Sequence, residues 1–428
     1  MSNQCPAQNQ VRGFAALATI VLSGLFGCGS AEPAPARDKR AITDLSADLS
    51  TIVRGNNTFA WSLYRAAAGN GGNLFFSPFS ISAAFGMTWA GAAGDTATEM
   101  RSVLAIGTAG DATFHSGFGA LVRDLSGEHP GRGYQLYVAN RLFAQAQEPF
   151  KPDFLALTSR DYGAGLGEVD YANATEAARL TINDWVAEQT RDRIPQMLAP
   201  GTLDAMTRLV LANAIYFKGD WARQFDPAQT HTAPFRLANG EQVDVMMMRQ
   251  VGSYRVAHRE DVSLIELNYQ DDEVSMVVLL PPSYDALPTL EAAVGTDYVD
   301  ALLAQTHEQQ ELWVSLPRFA FSGELPLTQL LKTLGMVRAF DAAQANFSNA
   351  LDPAVAPLFL AFAVHKSWVN VDEHGTEATA ATGTEFEPGS APPSFVANHP
   401  FLYFIRDRLT GSILFIGRVE HPLNPGPI

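Results

Sequence analysis

The sequence predicts an α+β protein in which helices surround mixed β-sheets that contain many antiparallel strands. Three observations predict this class. Some segments have apolar residues at helical spacing, others are short, apolar and rich in β-branched residues, and turn residues join neighbouring segments of the second kind. The chain has 428 residues, of which 47% are hydrophobic and 17% are charged. This composition is typical of a globular protein with a large core.

Helical spacing is clearest in three segments. The first begins after a candidate cap at Asn57-Thr58, and the second begins after Ser77 and carries a large apolar residue at every fourth position. The third covers 181–194 and ends before Pro195, which cannot continue a helix. These segments supply the helical part of the predicted class.

Strand patterns are equally regular. Four segments have the apolar, β-branched composition of strands, at 264–268, 274–280, 401–405 and 412–419. The second of them ends at Pro281, and Asn239-Gly240 is a strong signal for a further hairpin. The last two flank a short turn and are apolar enough to form a buried hairpin, so we expect substantial antiparallel sheet.

Residues 1–27 predict an export signal followed by a lipid-attachment site. The apolar run 14–26 has the length of a signal-peptide core and is too short to span a bilayer. It ends in the sequence LFGC, which resembles the bacterial lipobox, so we expect Cys28 to be the lipidated first residue of a mature bacterial lipoprotein. The alternative is an ordinary cleavable signal. We expect a flexible tether over 28–47 and a single domain over 48–428, exported to the outer membrane or cell surface, or otherwise to the periplasm or medium.

Charge, cysteine content and missing motifs exclude several function classes. The formal net charge of −16 disfavours nucleic acid and anionic membrane surfaces as partners. Cys5 and Cys28 both precede the body, which therefore has no disulfide framework and no cysteine-based metal site. The chain lacks the motifs of serine hydrolases, zinc proteases, phosphate-binding loops and dinucleotide-binding folds, and its nine histidines are not spaced as metal ligands. We expect no enzyme activity, no cofactor and no metal.

Residues 375–389 carry the most informative pattern. In an extended chain, side chains alternate between two faces, and here one face carries every charge of the segment. The other, uncharged face carries Thr376, Ala378, Ala380, Thr382, Thr384 and Phe386. The segment is thus patterned to enter a sheet, but its composition also suits a solvated loop of low complexity. On composition alone, both interpretations stay open.

Five separated motifs resemble the serpin family of serine protease inhibitors and follow the order of that family. They are NLFFSPFSI at 73–81, NAIYFKGDW at 213–221, AVHK at 363–366, DEHGTEATAAT at 372–382 and NHPF at 398–401. The resemblance implies the serpin fold with an exposed reactive loop at about 373–393. It also implies a covalent protein partner, a target serine protease that cuts this loop, after which the loop inserts into the main sheet.

The resemblance also implies the residues of the reactive loop. The hinge, which enters the sheet first, comprises Glu373, Gly375, Thr376, Glu377, Ala378, Thr379, Ala380, Ala381 and Thr382. The family register places the reactive bond at Gly389–Ser390, with Phe386 as the competing position. Because glycine has no side chain and the loop contains no Lys or Arg, we expect a target with a small or shallow pocket, elastase-like or subtilisin-like. We expect the inhibitor to be a monomer.

Two supporting clusters follow from the same resemblance. Ser77, Ser80, Asn213 and His365 match the family's shutter, the hydrogen-bonded cluster under the point where the strands part. Trp221 and the Arg318–Glu373 ion pair match the breach, where the loop enters. Heparin-binding members use a basic helix, but the segment 127–142 has only Arg132 and Arg141 as cations, so heparin binding is not expected. Two alternative functions stay open: a non-inhibitory serpin that serves as a binding or carrier module, and a lipid-anchored enzyme with an unrecognised site.

Overall fold

The computed structural model describes residues 40–69, 71–127, 132–163, 165–354, 357–376 and 393–423. Within these ranges the helices are α1 (Ala47–Ala68), α2 (Pro78–Trp89), α3 (Gly94–Val103), α4 (Asp111–Leu125), α5 (Pro152–Tyr162), α6 (Tyr171–Gln189), α7 (Leu287–Ala293), α8 (Thr296–Ala304) and α9 (Leu327–Thr333). The strands are β1 (Leu74–Phe76), β2 (Tyr134–Gln145), β3 (Gly167–Val169), β4 (Leu209–Asp220), β5 (His231–Arg236), β6 (Gln242–Arg259), β7 (Val262–Asn268), β8 (Val274–Leu280), β9 (His307–Pro317), β10 (Phe319–Leu325), β11 (Phe362–Val371), β12 (Gly375–Thr376), β13 (Ser394–Val396), β14 (Phe401–Asp407) and β15 (Ile413–Val419).

One sheet has six strands in the order β10-β11-β12-β4-β2-β3. β4 runs antiparallel to β2 and parallel to β11, and the two-residue β12 lies between β4 and β11. α6 and the segment after it cover the outer face, where they bury an apolar cluster that includes residues of β4 and β11. The inner face packs on the main core.

The other sheet has nine strands in the order β1-β15-β14-β8-β7-β6-β9-β13, with β5 paired to β6. Every residue of β8 and β15 is buried, which explains why these strands are almost continuously apolar rather than alternating. Neighbouring strands of this sheet are antiparallel except β9 and β13. The predicted α+β class with abundant antiparallel sheet is confirmed.

Two elements predicted from the sequence are present at the predicted positions. α2 begins after Ser77, whose hydroxyl accepts a hydrogen bond from the Ser80 amide at 3.0 Å. The Asn239-Gly240 turn joins β5 to β6 as a hairpin.

Other predicted boundaries are wrong for local reasons. α1 begins at Ala47 with Ser46 as its cap, so the Asn57-Thr58 pair lies inside the helix; Asn57 donates instead to the Gly411 carbonyl at 2.9 Å. α6 ends at Gln189 rather than at Ile194, because residues 191 and 192 have positive φ angles that no α-helix contains.

The segment 127–142, compared above with the basic helix of heparin-binding members, is mostly a strand in its described part. From Tyr134 onward it belongs to β2, where Leu136 is buried next to half-buried neighbours as in a strand. The preceding helix, α4, carries Arg123 as its only lysine or arginine.

Arg40, the first described residue, packs on the body. Its guanidinium pairs with Asp124 at 2.7 Å and with Asp407, and both carboxylates are almost completely buried. The Ala41 amide donates to Asp124 at 2.7 Å as well. Residues 40 and 41, which lie in the range expected to be a flexible tether, therefore contact the body. The signal segment and Cys28 lie outside the described residues.

Candidate functional site at the gap between two central strands

The site is a gap between β4 and β11. The two strands pair in parallel from Phe362–Val210 to Lys366–Ala214, and their ladder ends there in the described structure. Farther along, β12 lies between them, with Thr376 opposite Val371 on one side and Gly219 on the other. The strands are therefore joined at one end, here called the closed end, and separated by a third strand at the other, the open end.

The hinge enters the open end through Gly375 and Thr376. A side chain at Gly375 would place its Cβ only 2.1 Å from the Gly219 carbonyl oxygen, so this approach requires glycine. Thr376 follows with its side chain on the inner face of the sheet, where it is buried. Its hydroxyl forms a 2.8 Å hydrogen bond with the hydroxyl of Tyr269. The hinge thus already fills the first position of a central strand.

Aromatic stacking supports this entry point. The ring of Trp221 stacks on Tyr269 with centroids 4.6 Å apart and an angle of 14° between the planes. The Trp221 backbone amide donates to the carbonyl of His374 at 2.8 Å, and its indole N–H donates to the carbonyl of Asp372 at 3.0 Å. Trp221 therefore holds the chain on the N-terminal side of the hinge.

A buried carboxylate adds a second anchor. Glu373 accepts hydrogen bonds from Arg318 Nε at 2.7 Å and from the Thr230 hydroxyl, and its backbone carbonyl accepts one from the Phe225 amide at 2.8 Å. Burial opposes the charged form, but the hydrogen bonds from Arg318 and Thr230 outweigh it and lower the pKa of Glu373. Glu373 is therefore a charged group whose Oε1 is held by Arg318 and Thr230.

At the closed end a network of neutral side chains joins β4, β11 and α2. Asn213 and His365 are cross-strand partners one position before the ladder ends, and the His365 Nδ1–H donates to Asn213 Oδ1. The Asn213 amide donates to Ser80 Oγ at 2.7 Å. The hydroxyl of Ser77 donates to the Leu414 carbonyl at 2.6 Å, which connects the network to the other sheet.

His365 can make these bonds only in its neutral form. Its Nε2 accepts a hydrogen bond from the Ser77 amide at 3.1 Å, so the single ring proton is on Nδ1. Complete burial lowers the pKa of His365 to about 3. Because both ring nitrogens are occupied by hydrogen bonds to protein groups, His365 is a structural residue of the closed end.

The sequence-predicted residues with described positions fall into two clusters. Ser77, Ser80, Asn213 and His365 meet at the closed end; Trp221, Arg318, Glu373, Gly375 and Thr376 meet at the open end. The remaining loop residues lie outside the described ranges: Glu377, Ala378, Thr379, Ala380, Ala381, Thr382, Phe386, Gly389 and Ser390.

Sequence reasoning missed three members. Asn140 on β2 donates to the Ser80 carbonyl at 3.2 Å and accepts from Asn213, so it belongs to the closed end. Tyr269 and Thr230 belong to the open end. An asparagine that follows the apolar and aromatic run 136–139 was a usable signal, whereas nothing local distinguishes Tyr269 or Thr230.

The described ranges were also compared with two other kinds of feature, a membrane-spanning helix and a metal site. No helix there is both long and apolar enough to cross a membrane. In the same ranges no three His, Asp or Glu side chains converge as metal ligands would.

Two central strands that pair at one end and are separated by a two-residue strand at the other define a class of sheet arrangement. Comparison with known proteins identifies the class. The family model described as "Serpin (serine protease inhibitor)" matches residues 54–422. The leukocyte elastase inhibitor of Homo sapiens is 39% identical over 390 residues, which cover 87% of this chain and 100% of that protein. This chain belongs to the serpin family, and it is classed with protease inhibitors rather than with enzymes.

Solved structures agree with this assignment. Uncleaved ovalbumin has a TM-score of 0.80 and 29% sequence identity, and the match covers 87% of this chain and 100% of ovalbumin. A cleaved, loop-inserted ovalbumin mutant has a TM-score of 0.78 and 28% identity, with the same coverage. The fold is thus similar both to an uncleaved and to a loop-inserted structure.

Proposed function

We propose that this protein inhibits a serine endopeptidase and is consumed in the process. The protease serine attacks the carbonyl carbon of Gly389 and forms an acyl-enzyme ester, while the Gly389–Ser390 bond breaks and Ser390 leaves with a protonated amine. The freed loop then inserts between β4 and β11 before water can hydrolyse the ester. Insertion draws the attached protease away and distorts its catalytic site.

The observation that carries this proposal is the position of Thr376 in the gap. β12 is antiparallel to both neighbours, so insertion only has to extend a strand that has already begun. If the same register continues, positions 378, 380 and 382 would face the core, and the sequence has Ala, Ala and Thr there. Small uncharged side chains keep the barrier to insertion low, because a large or charged group would have to be buried before it found a partner.

The target we propose has a small or shallow specificity pocket. Glycine at 389 presents no side chain to that pocket, which suits elastase-like or subtilisin-like enzymes better than trypsin-like ones. The similarity to a protein named leukocyte elastase inhibitor supports the same choice. Cleavage after Phe386 by a chymotrypsin-like enzyme is the competing outcome, and it would shorten the inserted strand by three residues.

The test is incubation with a panel of elastase-like, subtilisin-like, chymotrypsin-like and trypsin-like proteases. We expect a complex that survives boiling in detergent with an elastase-like or subtilisin-like member, and none when the protease serine is blocked beforehand. Sequencing the released C-terminal fragment distinguishes the two bonds, because it begins at Ser390 or at Glu387. Cleavage without any stable complex would contradict inhibition.

A second measurement tests insertion itself. Cutting the loop should let it join the sheet, so the cleaved protein should melt at a markedly higher temperature than the intact one. Equal melting temperatures would mean that the loop does not insert and would favour the non-inhibitory carrier.

The proposed location is the surface of a bacterial cell, through a lipid on Cys28. With Arg40 fixed on the body, the twelve steps from Cys28 to Arg40 span at most about 40 Å, which holds the inhibitor close to the membrane. Stable anchoring needs several acyl chains, and Cys28 is the residue proposed to carry them. The parent should therefore partition with membranes, and Cys28→Ala should not. Equal partitioning of the two, or a mature N-terminus beyond residue 28, would contradict the anchor.

A further inference from the structure

The segment that follows α6 crosses the gap on the outer face of the six-stranded sheet. Continuing the parallel register of β4 and β11 beyond the ladder places Tyr216 level with Trp368, on opposite sides of the gap. Tyr216 also pairs directly with Tyr137 on β2. The two edges that must separate during insertion therefore each present aromatic rings to the segment above them.

Two arginines of this segment contact opposite edges. The guanidinium of Arg191 lies over Tyr137 and Tyr216, 5.0 and 5.5 Å from the ring centroids, and it donates to the Tyr137 hydroxyl at 2.9 Å. The guanidinium of Arg193 lies over Trp368 at 4.7 Å. Arg191 is thus bound to the β2–β4 edge and Arg193 to the β11 edge, and one residue separates them.

The backbone between the two arginines is tightly turned and anchored. Arg191 and Asp192 have φ angles of +51° and +61°, in the left-handed region that non-glycine residues rarely adopt. The Asp192 amide donates to the Ala187 carbonyl at 2.8 Å, and the Arg193 amide donates to the Thr190 carbonyl at 3.0 Å. Ile194, the next residue, is buried in the apolar cluster under α6. The turn is therefore held on both sides, by these backbone hydrogen bonds and by the burial of Ile194.

The level of Tyr216 and Trp368 lies between the last paired residues, Ala214 and Lys366, and the positions that β12 already separates, Gly219 and Val371. A strand that extends from β12 must complete the separation at this level, to one additional strand spacing of about 4.8 Å in total. As the edges part further, two side chains separated by one residue of a tight turn are pulled in opposite directions, so at least one stacking contact breaks or the turn opens. We propose that Arg191 and Arg193 form a strap across the gap that slows loop insertion and so helps to decide whether a protease is trapped or released. This inference rests on the proposed inhibitory function and assigns a rate-determining element to the same site.

The strap predicts a specific relation between single and double variants. Either arginine alone can hold only one edge, so Arg191→Gln and Arg193→Gln should each release the strap. Loss of one cation–π contact that opposes a step speeds that step by about two- to fivefold. Each variant should therefore anneal a synthetic peptide of residues 376–387 faster than the parent by that factor. The double variant should be no faster than the faster single variant, and Arg193→Lys, which keeps a cation over Trp368, should lie between the parent and Arg193→Gln.

The matched control is Arg249→Gln. Arg249 lies over Trp313 at the same 4.7 Å distance but belongs to β6 in the other sheet. Its substitution removes an equivalent contact without touching the gap, so the annealing rate should equal that of the parent. Annealing is followed by the change in tryptophan fluorescence and by the gain in melting temperature. The same measurement on the Trp368→Phe protein identifies the part of the fluorescence change that comes from Trp368.

The same variants are titrated against a protease that the parent captures. Release of the strap should lower the number of inhibitor molecules consumed per protease molecule, because insertion then competes better with hydrolysis. Unchanged annealing rates in Arg191→Gln and Arg193→Gln, or multiplied rates in the double variant, would overturn the strap. A parent protein that neither anneals the peptide nor captures any protease would instead overturn the proposed function, so the two failures are distinguishable.

Discussion

The two ends of the gap are held by different kinds of interaction. At the closed end, neutral side chains that are completely buried connect β4 directly to β11 through Asn213 and His365. At the open end, the partly exposed Arg318 pairs with Glu373 of the segment 372–376. The stacked rings of Trp221 and Tyr269 contact the same segment. The closed end therefore keeps the two strands together, whereas the open end keeps the hinge seated between them.

This difference suits the proposed function, in which one sheet is stable and still accepts a strand. A neutral network needs well-defined geometry but no desolvated charge, so it can close again after the strands move. The contacts at the open end are made to residues that would remain in place during insertion, so they need not break.

The largest effect is expected from a charge at the seated hinge position. Thr376→Arg places a long cation where Thr376 is 2% exposed and paired with Tyr269. Burying an unpaired charge costs several kcal/mol, and about 3 kcal/mol on the insertion barrier slows insertion more than a hundredfold. The variant should be cut as a substrate, with active protease recovered in a gel assay for the covalent complex.

Its control is Glu377→Arg, one position along on the face predicted to point away from the core. This variant should inhibit nearly as well as the parent. Equal trapping by both variants, or equal failure of both, would contradict the alternation of faces along the hinge.

The closed end should make stability depend on pH. The pKa of His365 is lowered to about 3 in the folded protein from 6.5, so between these values the unfolded chain binds a proton that the folded chain does not. Stability should therefore fall as the pH falls through this range, by up to about 1.4 kcal/mol per pH unit, with no contribution above it. Calorimetry between pH 7.5 and 4.5 measures the slope.

His365→Gln removes this titration and should flatten the slope even if the variant is less stable at pH 7.5. His115 provides a second contribution, since burial lowers its pKa to about 4. The double variant with His115→Gln should be flatter still. A His365→Gln protein with the slope of the parent would show that the closed end does not depend on neutral His365.

A smaller effect is expected at the ion pair of the open end. Arg318→Met leaves the Glu373 carboxylate, which is 3% exposed, with Thr230 as its remaining side-chain partner. Because Arg318 itself is 41% exposed, we expect a loss near 1 kcal/mol in chemical unfolding rather than the 3 to 5 kcal/mol of a fully buried pair.

Arg54→Met is the comparison, because Arg54 and Asp297 are both exposed. That substitution should change the free energy of unfolding by less than about 0.5 kcal/mol. Equal losses for the two variants would mean that Glu373 gains nothing from its burial beside Arg318.

The smallest effect is expected from one hydroxyl. Tyr269→Phe removes the hydrogen bond to Thr376 and keeps the ring on Trp221, so it should cost about 0.5 to 1.5 kcal/mol. The hinge should then leave the gap more often, and the loop should be cut faster by the target. Tyr403→Phe is the matched control, because the buried Tyr403 hydroxyl has no hydrogen-bond partner in the described structure. Equal behaviour of the two variants would contradict a role for the Tyr269 hydroxyl.

Local patterns predicted the elements and several members of the site, but not their partners. Ser77 before Pro78 has the form of a helix cap, and the apolar run of β8 has the form of a buried strand, because both depend on near neighbours in the chain. Asn57-Thr58 resembled a cap for the same reason and was wrong, since Ser46 begins the helix and Asn57 is used by the distant β14–β15 turn.

The fold class, the family, the lack of a cysteine framework and the uncharged face of the hinge could all be predicted from the chain alone, because each depends on composition, short motifs or alternation. The three-dimensional arrangement was needed to see that Thr376 already occupies the gap, that Tyr269 and Asn140 complete its two ends, and that Arg191 and Arg193 cross it. These contacts join residues far apart in the chain. Which side chains meet depends on strand order and register, and no local period encodes either of them.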